Sequence, residues 1–142
     1  MSFKKALKQT VVVGLAKGFI TFFSWLPLWL NQSIGRFIGR LLWWLPNENS
    51  QITLVNLRLA FPDESETSRN QRAKQSLLHL GMMATELGPA WLWPEKKIRP
   101  LIKAIKGQSL LDEALAAKKG IIFLAPHIGA WELIGPFLST QY

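Results

Sequence analysis

The sequence predicts an α/β fold preceded by an N-terminal membrane helix, in a chain that is mostly helical and contains only the start of the sheet. Three patterns support this prediction. Residues 11–30 form a long apolar run, and residues 66–87 repeat apolar side chains at helical spacing. Residues 121–125 form a short apolar run that is typical of a buried strand, and a turn and a further helical pattern follow it.

The run over residues 11–30 is interpreted as a membrane anchor. A helix of about 20 residues is about 30 Å long, which matches the hydrocarbon core of a bilayer. Lys17 and Pro27 interrupt the run. Because Lys17 also splits the apolar region that a secretory signal peptide needs, a cleaved leader is disfavoured. A buried helix of a globular domain remains the alternative.

A basic amphipathic helix is predicted over residues 33–45. Arg36 and Arg40 are four residues apart on one face of this helix. Another face is apolar and consists of Phe37, Leu41 and Trp44. Such a helix can lie at the headgroup level of a membrane, or it can pack on other helices with its charged face in solvent.

A long amphipathic helix is predicted from residue 66 to residue 87, after turns at residues 46–50 and 61–65. His79 is expected on the face of this helix. Glu86 stands in an apolar context, and it is expected to pair with a basic residue, to contact the active site or to face water.

A short helix is expected to lead into the run at residues 121–125. Ser109 and Asp112 have the spacing of a capping box, with Asp in place of the preferred Glu, and they predict the start of this helix. Gly120 predicts its end. The following strand would then carry the chain to the turn that contains His127.

Composition restricts the possible partners. The formal net charge is +8, which suits nucleic acid, anionic lipid headgroups or an acidic carrier protein. Seven tryptophans and 49% hydrophobic residues, concentrated toward the N-terminus, favour a membrane over nucleic acid. The absence of cysteine excludes a disulfide framework.

His127 and Glu132 are the candidate catalytic residues. His127 follows the predicted strand, and the carboxyl ends of strands in open α/β sheets are where ligands bind. Five residues along one helix would turn the two side chains about 140° apart, so only a turn between them lets the carboxylate reach the imidazole. A neutral imidazole can then take a proton from a hydroxyl, while a carboxylate on its other nitrogen stabilises the imidazolium.

Two structural roles remain open for this pair. His127 can be a hydrogen-bonded structural residue, and Glu132 can simply favour the start of a helix. A metal site is not expected, because zinc sites use three or four ligands and His79 lies in a separate helical segment.

A basic patch lies between Pro94 and Gly107. A solvated surface is the common explanation for such a patch, and docking of an acidic carrier protein or of lipid phosphates is the more specific one. The patch consists of Lys96, Lys97, Arg99, Lys103 and Lys106.

The block G-I-I-F-L-A-P-H-I-G-A-W-E-L-I-G over residues 120–135 resembles the signature of the lipid A biosynthesis acyltransferases, which belong to the wider glycerolipid acyltransferase superfamily. A second block, N-L-R-L-A-F-P at residues 56–62, is also similar, as is the following helix with Glu86 and Trp91-Leu-Trp93. Many members have Asn where this chain has Ala130.

The resemblance implies a glycerolipid-acyltransferase-like α/β fold and a reaction. His127 would deprotonate a hydroxyl of a lipid A precursor, and Glu132 would orient it. The alkoxide would attack a fatty acyl thioester on acyl carrier protein, so no cofactor is expected beyond that thioester. A related lysophospholipid acyltransferase is the alternative. The resemblance also implies a bacterial inner-membrane protein with its catalytic part on the cytoplasmic side and no nucleic-acid partner.

The resemblance covers about the N-terminal half of a typical family member. We therefore divide the chain into a membrane anchor with the basic amphipathic helix, residues 1–45, and an incomplete acyltransferase domain, residues 46–142. The chain is expected to be an incomplete sequence, and a catalytically inactive membrane-associated fragment is the alternative function. Acyl length and acceptor hydroxyl are not predicted.

Overall fold

The computed structural model describes residues 3–45 and 47–141. The chain forms two compact units that divide between Leu92 and Trp93. The first unit contains α1 (Phe3–Trp25), α2 (Leu28–Trp44), α3 (Glu48–Ala60) and α4 (Glu66–Leu92). The second unit contains α5 (Glu95–Ile98), α6 (Gln108–Ala116), α7 (Ile134–Gln141) and 3₁₀ helices at Arg99–Leu101 and Trp131–Leu133.

The prediction of one helix over residues 11–30 is wrong, because the helix breaks at Pro27. Pro27 caps α2 in an extended conformation, with φ −65° and ψ 151°. The buried Asn31 secures the break, since its amide donates to the carbonyl of Phe23 at 3.0 Å and to that of Leu26 at 3.5 Å. The first bond reaches a carbonyl in the last turn of α1, and the second reaches a carbonyl of the linker just after it.

Among the residues that the structure describes, every helix is either too short or too polar to cross a bilayer. The prediction of a transmembrane helix is therefore not supported. The prediction of a mostly helical chain is confirmed. The assignment of residues 1–45 and 46–142 to two functional parts stays a prediction.

Glycines allow α2 and α4 to approach backbone to backbone. A Cβ atom on Gly35 would lie 2.5 Å from the Met82 Cα, and one on Gly39 would lie 2.5 Å from the Leu77 carbonyl oxygen. Real Cβ contacts are not this short, so the close approach requires glycine on α2. Gly81 on α4 faces the same seam, which is buried.

Polar side chains also bridge α2 and α4. The buried Thr85 hydroxyl lies 2.9 Å from the backbone carbonyl of Asn31. The amide of Gln32 donates to the carboxylate of Glu86 at 2.8 Å. Glu86 is half-buried, and its partner on α2 is a neutral amide rather than the basic residue that was one of the expectations.

The turn between α3 and α4 is held by two arginines. Arg69 donates to the carbonyls of Phe61, Pro62 and Glu64. Arg72 forms a two-pronged ion pair with Glu64, with N–O distances of 2.7 and 2.8 Å, and its guanidinium lies 4.7 Å from the centre of the Phe61 ring. The end of the N-L-R-L-A-F-P block is therefore tied to the start of α4.

The second unit has little buried apolar surface. Ile98 at the end of α5 is 4% exposed, and it is the one buried large apolar side chain among the described residues of this unit. α6 begins after Gly107, which adopts φ 79° and makes no side-chain cap. The predicted capping box is therefore wrong, because Ser109 lies inside the helix. The prediction that Gly120 ends this helix is wrong, because α6 ends at Ala116 and the left-handed residue after its cap is Lys118, with φ 55°. Gly120 has φ 77° in the loop that follows.

Residues 121–125 do not form the predicted strand. They are irregular, and none of the described residues is assigned to a strand. A strand requires a partner to receive its backbone hydrogen bonds. Ile122 and Leu124 are each 91% exposed here. The α/β part of the fold prediction is therefore not confirmed over the described residues.

Candidate functional site

A tight turn separates the two candidate catalytic residues, as the sequence predicts. The amide of Ile128 donates to the Pro126 carbonyl at 2.7 Å, which places His127 at the centre of a three-residue turn. Gly129 follows with φ 62°, a conformation that favours glycine. Helical structure resumes only at Trp131–Leu133, where the amide of Leu133 donates to the Ala130 carbonyl at 3.0 Å.

His127 is exposed, and its imidazole stacks on the indole of Trp131. The two ring centres are 4.1 Å apart and the ring planes are inclined by 32°. Trp131 is half-buried, and its Nε1 is buried without a hydrogen-bond partner. The stack therefore joins an exposed ring to a half-buried one.

Glu132 follows Trp131 in the 3₁₀ helix and is half-buried. The 3₁₀ helix continues directly into α7. A carboxylate in the first turn of a helical segment interacts favourably with the backbone amides there. The pairing of this carboxylate with the imidazole of His127 stays a prediction, as do the catalytic roles of both residues.

His127 and His79 lie in different units. His79 is exposed on α4, as expected of a residue on the helix face. No group of three histidine, cysteine or acidic side chains suited to a metal ion occurs among residues 3–45 and 47–141. The candidate site therefore consists of one imidazole, one indole and one carboxylate within six residues of sequence.

The predicted basic patch lies on α5 and the segment that follows it. Lys96, Lys97, Arg99, Lys103 and Lys106 are all exposed. Two of them have partners within the patch region. The Lys97 ammonium lies 5.2 Å from the centre of the Trp93 ring, and Arg99 lies 3.8 Å from Glu95. An exposed ion pair of this kind adds little stability, so the cations remain accessible to an anionic partner.

Sequence reasoning missed a cleft in the second unit. It has a volume of about 90 Å³, and it lies between α5 with its adjoining 3₁₀ helix and α7. Ile98, Ile102 and Phe137 supply apolar walls, and Arg99 is the one member of the basic patch that lines it. The spacing of these residues gives no periodic signal, since they come from segments almost 40 residues apart in the chain.

The contact between His127 and Trp131 was also missed. The W-E dipeptide contributed to the resemblance, but no function was assigned to the indole. A histidine and a tryptophan four residues apart are a usable signal only when the conformation between them is known, because a turn and a helix place them differently.

Comparison with known proteins identifies the family of the chain. A sequence model described as "Bacterial lipid A biosynthesis acyltransferase" matches residues 1–142. The chain belongs to this family. That assignment confirms the resemblance carried by residues 56–62 and 120–135.

Curated relatives have specific acyltransferase names. The chain is 30% identical over 108 residues to a lipid A biosynthesis lauroyltransferase of Escherichia coli K12, covering 76% of this chain and 35% of the relative. It is 32% identical over 112 residues to a lipid A biosynthesis acyltransferase of Haemophilus influenzae, with 75% and 35% covered. A palmitoleoyltransferase of Escherichia coli K12 is 28% identical over 102 residues, with 72% and 33% covered.

The chain spans about a third of the length of these curated relatives. No solved structure matches it significantly. The comparisons therefore establish the family of the chain.

Proposed function

We propose that the protein transfers a fatty acyl chain from acyl carrier protein to a hydroxyl of a lipid A precursor during lipopolysaccharide biosynthesis. The observation that carries this proposal is the exposed imidazole of His127, placed by a tight turn just before Glu132 in a chain of this family. An exposed imidazole can reach a hydroxyl on a bulky glycolipid, which a buried one could not.

His127 acts as the general base in this proposal. The imidazole takes the proton of the acceptor hydroxyl, and the oxygen attacks the carbonyl carbon of the acyl thioester. The carbon–sulfur bond then breaks, and the thiol of the carrier leaves with a proton from the imidazolium. Glu132 orients the imidazole and stabilises its positive charge while the proton is held. The chain contains no cysteine, and the reaction needs no covalent acyl-enzyme.

The exposed cations of the basic patch support acyl carrier protein as the donor. An acidic partner approaches a basic surface faster than a neutral one does, and the effect is screened by salt. Charge reversal of Lys96, Lys97 and Lys103 to Glu should raise the KM for acyl carrier protein, with little change in kcat. An unchanged KM at low ionic strength would contradict this docking site.

We further propose that the first unit binds at the surface of the bacterial inner membrane on the cytoplasmic side. α1 and α2 expose large apolar side chains close to basic ones, a composition that suits the level of the lipid headgroups. The exposed apolar residues include Leu15, Phe22, Trp25, Trp29, Phe37 and Trp44.

Acyl transfer from an acyl carrier protein thioester to a lipid A precursor tests the catalytic proposal. His127→Ala should reduce kcat by about 10²- to 10⁴-fold, the usual contribution of a general base. Glu132→Ala should also remove most of the activity. His79→Ala is the matched control, because that exposed imidazole lies in the other unit and should leave turnover unchanged. Near-normal turnover by the His127 variant would exclude this mechanism.

A catalytically inactive membrane-associated fragment is the second candidate function. The exposed apolar side chains of α1 and α2 favour it, because they suit association with a membrane whether or not the chain turns over substrate. The same assay separates the two candidates. Vesicle binding without turnover by the wild-type chain would support the inactive fragment.

A further inference from the structure

Trp131 is placed where it can control the orientation of His127. The ring centres of the two residues are 4.1 Å apart, within the range of stacked aromatic pairs. An exposed imidazole at a turn would otherwise rotate freely about its side-chain bonds. Contact with one face of a larger ring reduces that freedom, which lowers the entropy cost of holding the base in a reactive position.

Trp131 is less exposed than the histidine that it contacts. Trp131 begins the 3₁₀ helix Trp131–Leu133 and is half-buried, whereas His127 is exposed. Its Nε1 is buried without a hydrogen-bond partner, so no polar contact in the structure accounts for the presence of an indole here. Phenylalanine or leucine would fill apolar space without leaving a buried donor unsatisfied. Burial of apolar surface alone therefore does not explain why this residue is tryptophan rather than phenylalanine or leucine.

The indole also responds to the charge on the imidazole. The face of a tryptophan ring attracts a cation more strongly than the face of any other side chain does. When His127 accepts a proton, the stack changes from a contact between neutral rings to a cation–π contact. The interaction is then stronger in the transition state than before proton transfer, and such interactions raise kcat rather than lower KM.

We infer that Trp131 is a positioning residue that orients the imidazole of His127 and favours its protonated form during catalysis. This inference rests on the proposed function of His127 as a general base. It adds a third residue to the site, between the base and the carboxylate in sequence, and it assigns that residue no direct contact with the substrate.

Proton NMR of the chain tests the stack without any need for activity. The chain has only two histidines, so His79 on α4 serves as an internal reference for the imidazole Cε1 proton of His127. The ring current of the indole should move the His127 signal upfield from that of His79. Trp131→Leu should abolish this displacement, and Trp131→Phe should retain part of it. Trp93→Leu removes a different indole of the same unit and should leave the His127 signal in place.

Kinetics of acyl transfer test the consequence of the stack. Trp131→Leu should lower kcat by at least about 2- to 5-fold, the effect of losing one cation–π contact at an exposed site. The KM values for donor and acceptor should be unchanged. Trp131→Phe should restore most of kcat, since the phenyl ring preserves a weaker cation–π contact. If Trp131→Leu does not fold, Trp131→Phe carries the test. A His127 signal and a kcat between those expected with and without the indole would support the inference, and wild-type values of both would contradict it.

The outcomes separate this inference from the proposed function. Normal turnover by His127→Ala would remove the proposed function, while the NMR displacement would still show the stack. Loss of activity in His127→Ala with unchanged kcat in Trp131→Leu would overturn only the role of Trp131. Identical His127 signals in wild type and Trp131→Leu would overturn it too, as would a raised KM at constant kcat.

Discussion

The two units of this protein differ in what determines their structure. In the first unit, helices meet along a buried seam where glycines allow two backbones to approach closely. Ala73, Leu77 and Thr85 are each at most 1% exposed there. In the second unit, by contrast, local turns determine the conformation, and Ile122 and Leu124 are 91% exposed. The candidate catalytic residues lie in the less buried unit, so their geometry depends on short-range contacts such as the stack of His127 on Trp131.

One pair of matched substitutions should show the largest effect of this difference. Leu77→Ala removes a side chain that is 1% exposed, and it should lower the free energy of unfolding by about 2–5 kcal/mol. Leu124→Ala makes the same chemical change at an exposed site and should alter it by less than about 0.5 kcal/mol. Urea denaturation followed by circular dichroism measures both values. Equal losses would show that the second unit is packed as tightly as the first.

The glycine seam should respond to a single methyl group. Gly81→Ala places a Cβ 2.8 Å from the Gly39 amide nitrogen, and the overpacking should cost about 1–3 kcal/mol in the free energy of unfolding. Gly14→Ala is the control, because a Cβ there meets nothing within 4 Å on α1. That control should stabilise the chain by about 0.5–1 kcal/mol, since alanine favours a helix over glycine. In the same denaturation experiment, Gly81→Ala should lower the free energy of unfolding and Gly14→Ala should raise it.

The smallest effect is expected at the turn between α3 and α4. The hydrogen bond from Arg72, followed by that from Ser68, holds the pKa of Glu64 below its ordinary value of 4.5. A lowered pKa in the folded state contributes stability that is present above about pH 4.5 and is lost as the pH falls through the folded-state pKa. In Glu64→Gln, the free energy of unfolding should therefore fall less steeply than in the wild type as the pH is lowered through that acidic range.

Unfolding by urea at a series of pH values measures this contribution. Glu66→Gln is the control, because its carboxylate lies 3.8 Å from Arg58 in a largely exposed ion pair. A pH profile for Glu64→Gln that matches the wild type would mean that the ion pair with Arg72 does not persist in solution.

Helices with regular apolar spacing were predictable in this chain, and long-range pairing was not. The predicted helix over residues 33–45 overlaps the C-terminal part of α2, which ends one residue earlier at Trp44, and the one over residues 66–87 lies within α4. The apolar run at residues 11–30 was misread because average hydropathy does not register the loss of a backbone donor at Pro27. A proline at that position is a helix-start signal, and the structure uses it as one.

The seam between α2 and α4 was missed although its signal is present in the sequence. Gly35 and Gly39 are four residues apart, a spacing that places both on one face of a helix. The charged and the large apolar residues of α2 define two of its faces, and the glycine face was not predicted. At the candidate site, the turn at His127 was predictable from Pro126 and Gly129. The stack on Trp131 was not, because it depends on the exact path of the intervening backbone.

The close contact of α2 with α4 has a consequence for motion. Two helices separated by layers of flexible side chains can slide past each other as rotamers change, but helices in backbone contact cannot. Gly35 and Gly39 lock α2 against Gly81, and the Thr85 hydroxyl adds a polar link to the Asn31 carbonyl. We therefore expect the pair to move as one body, and its amide hydrogens should be the last in the chain to exchange with deuterium.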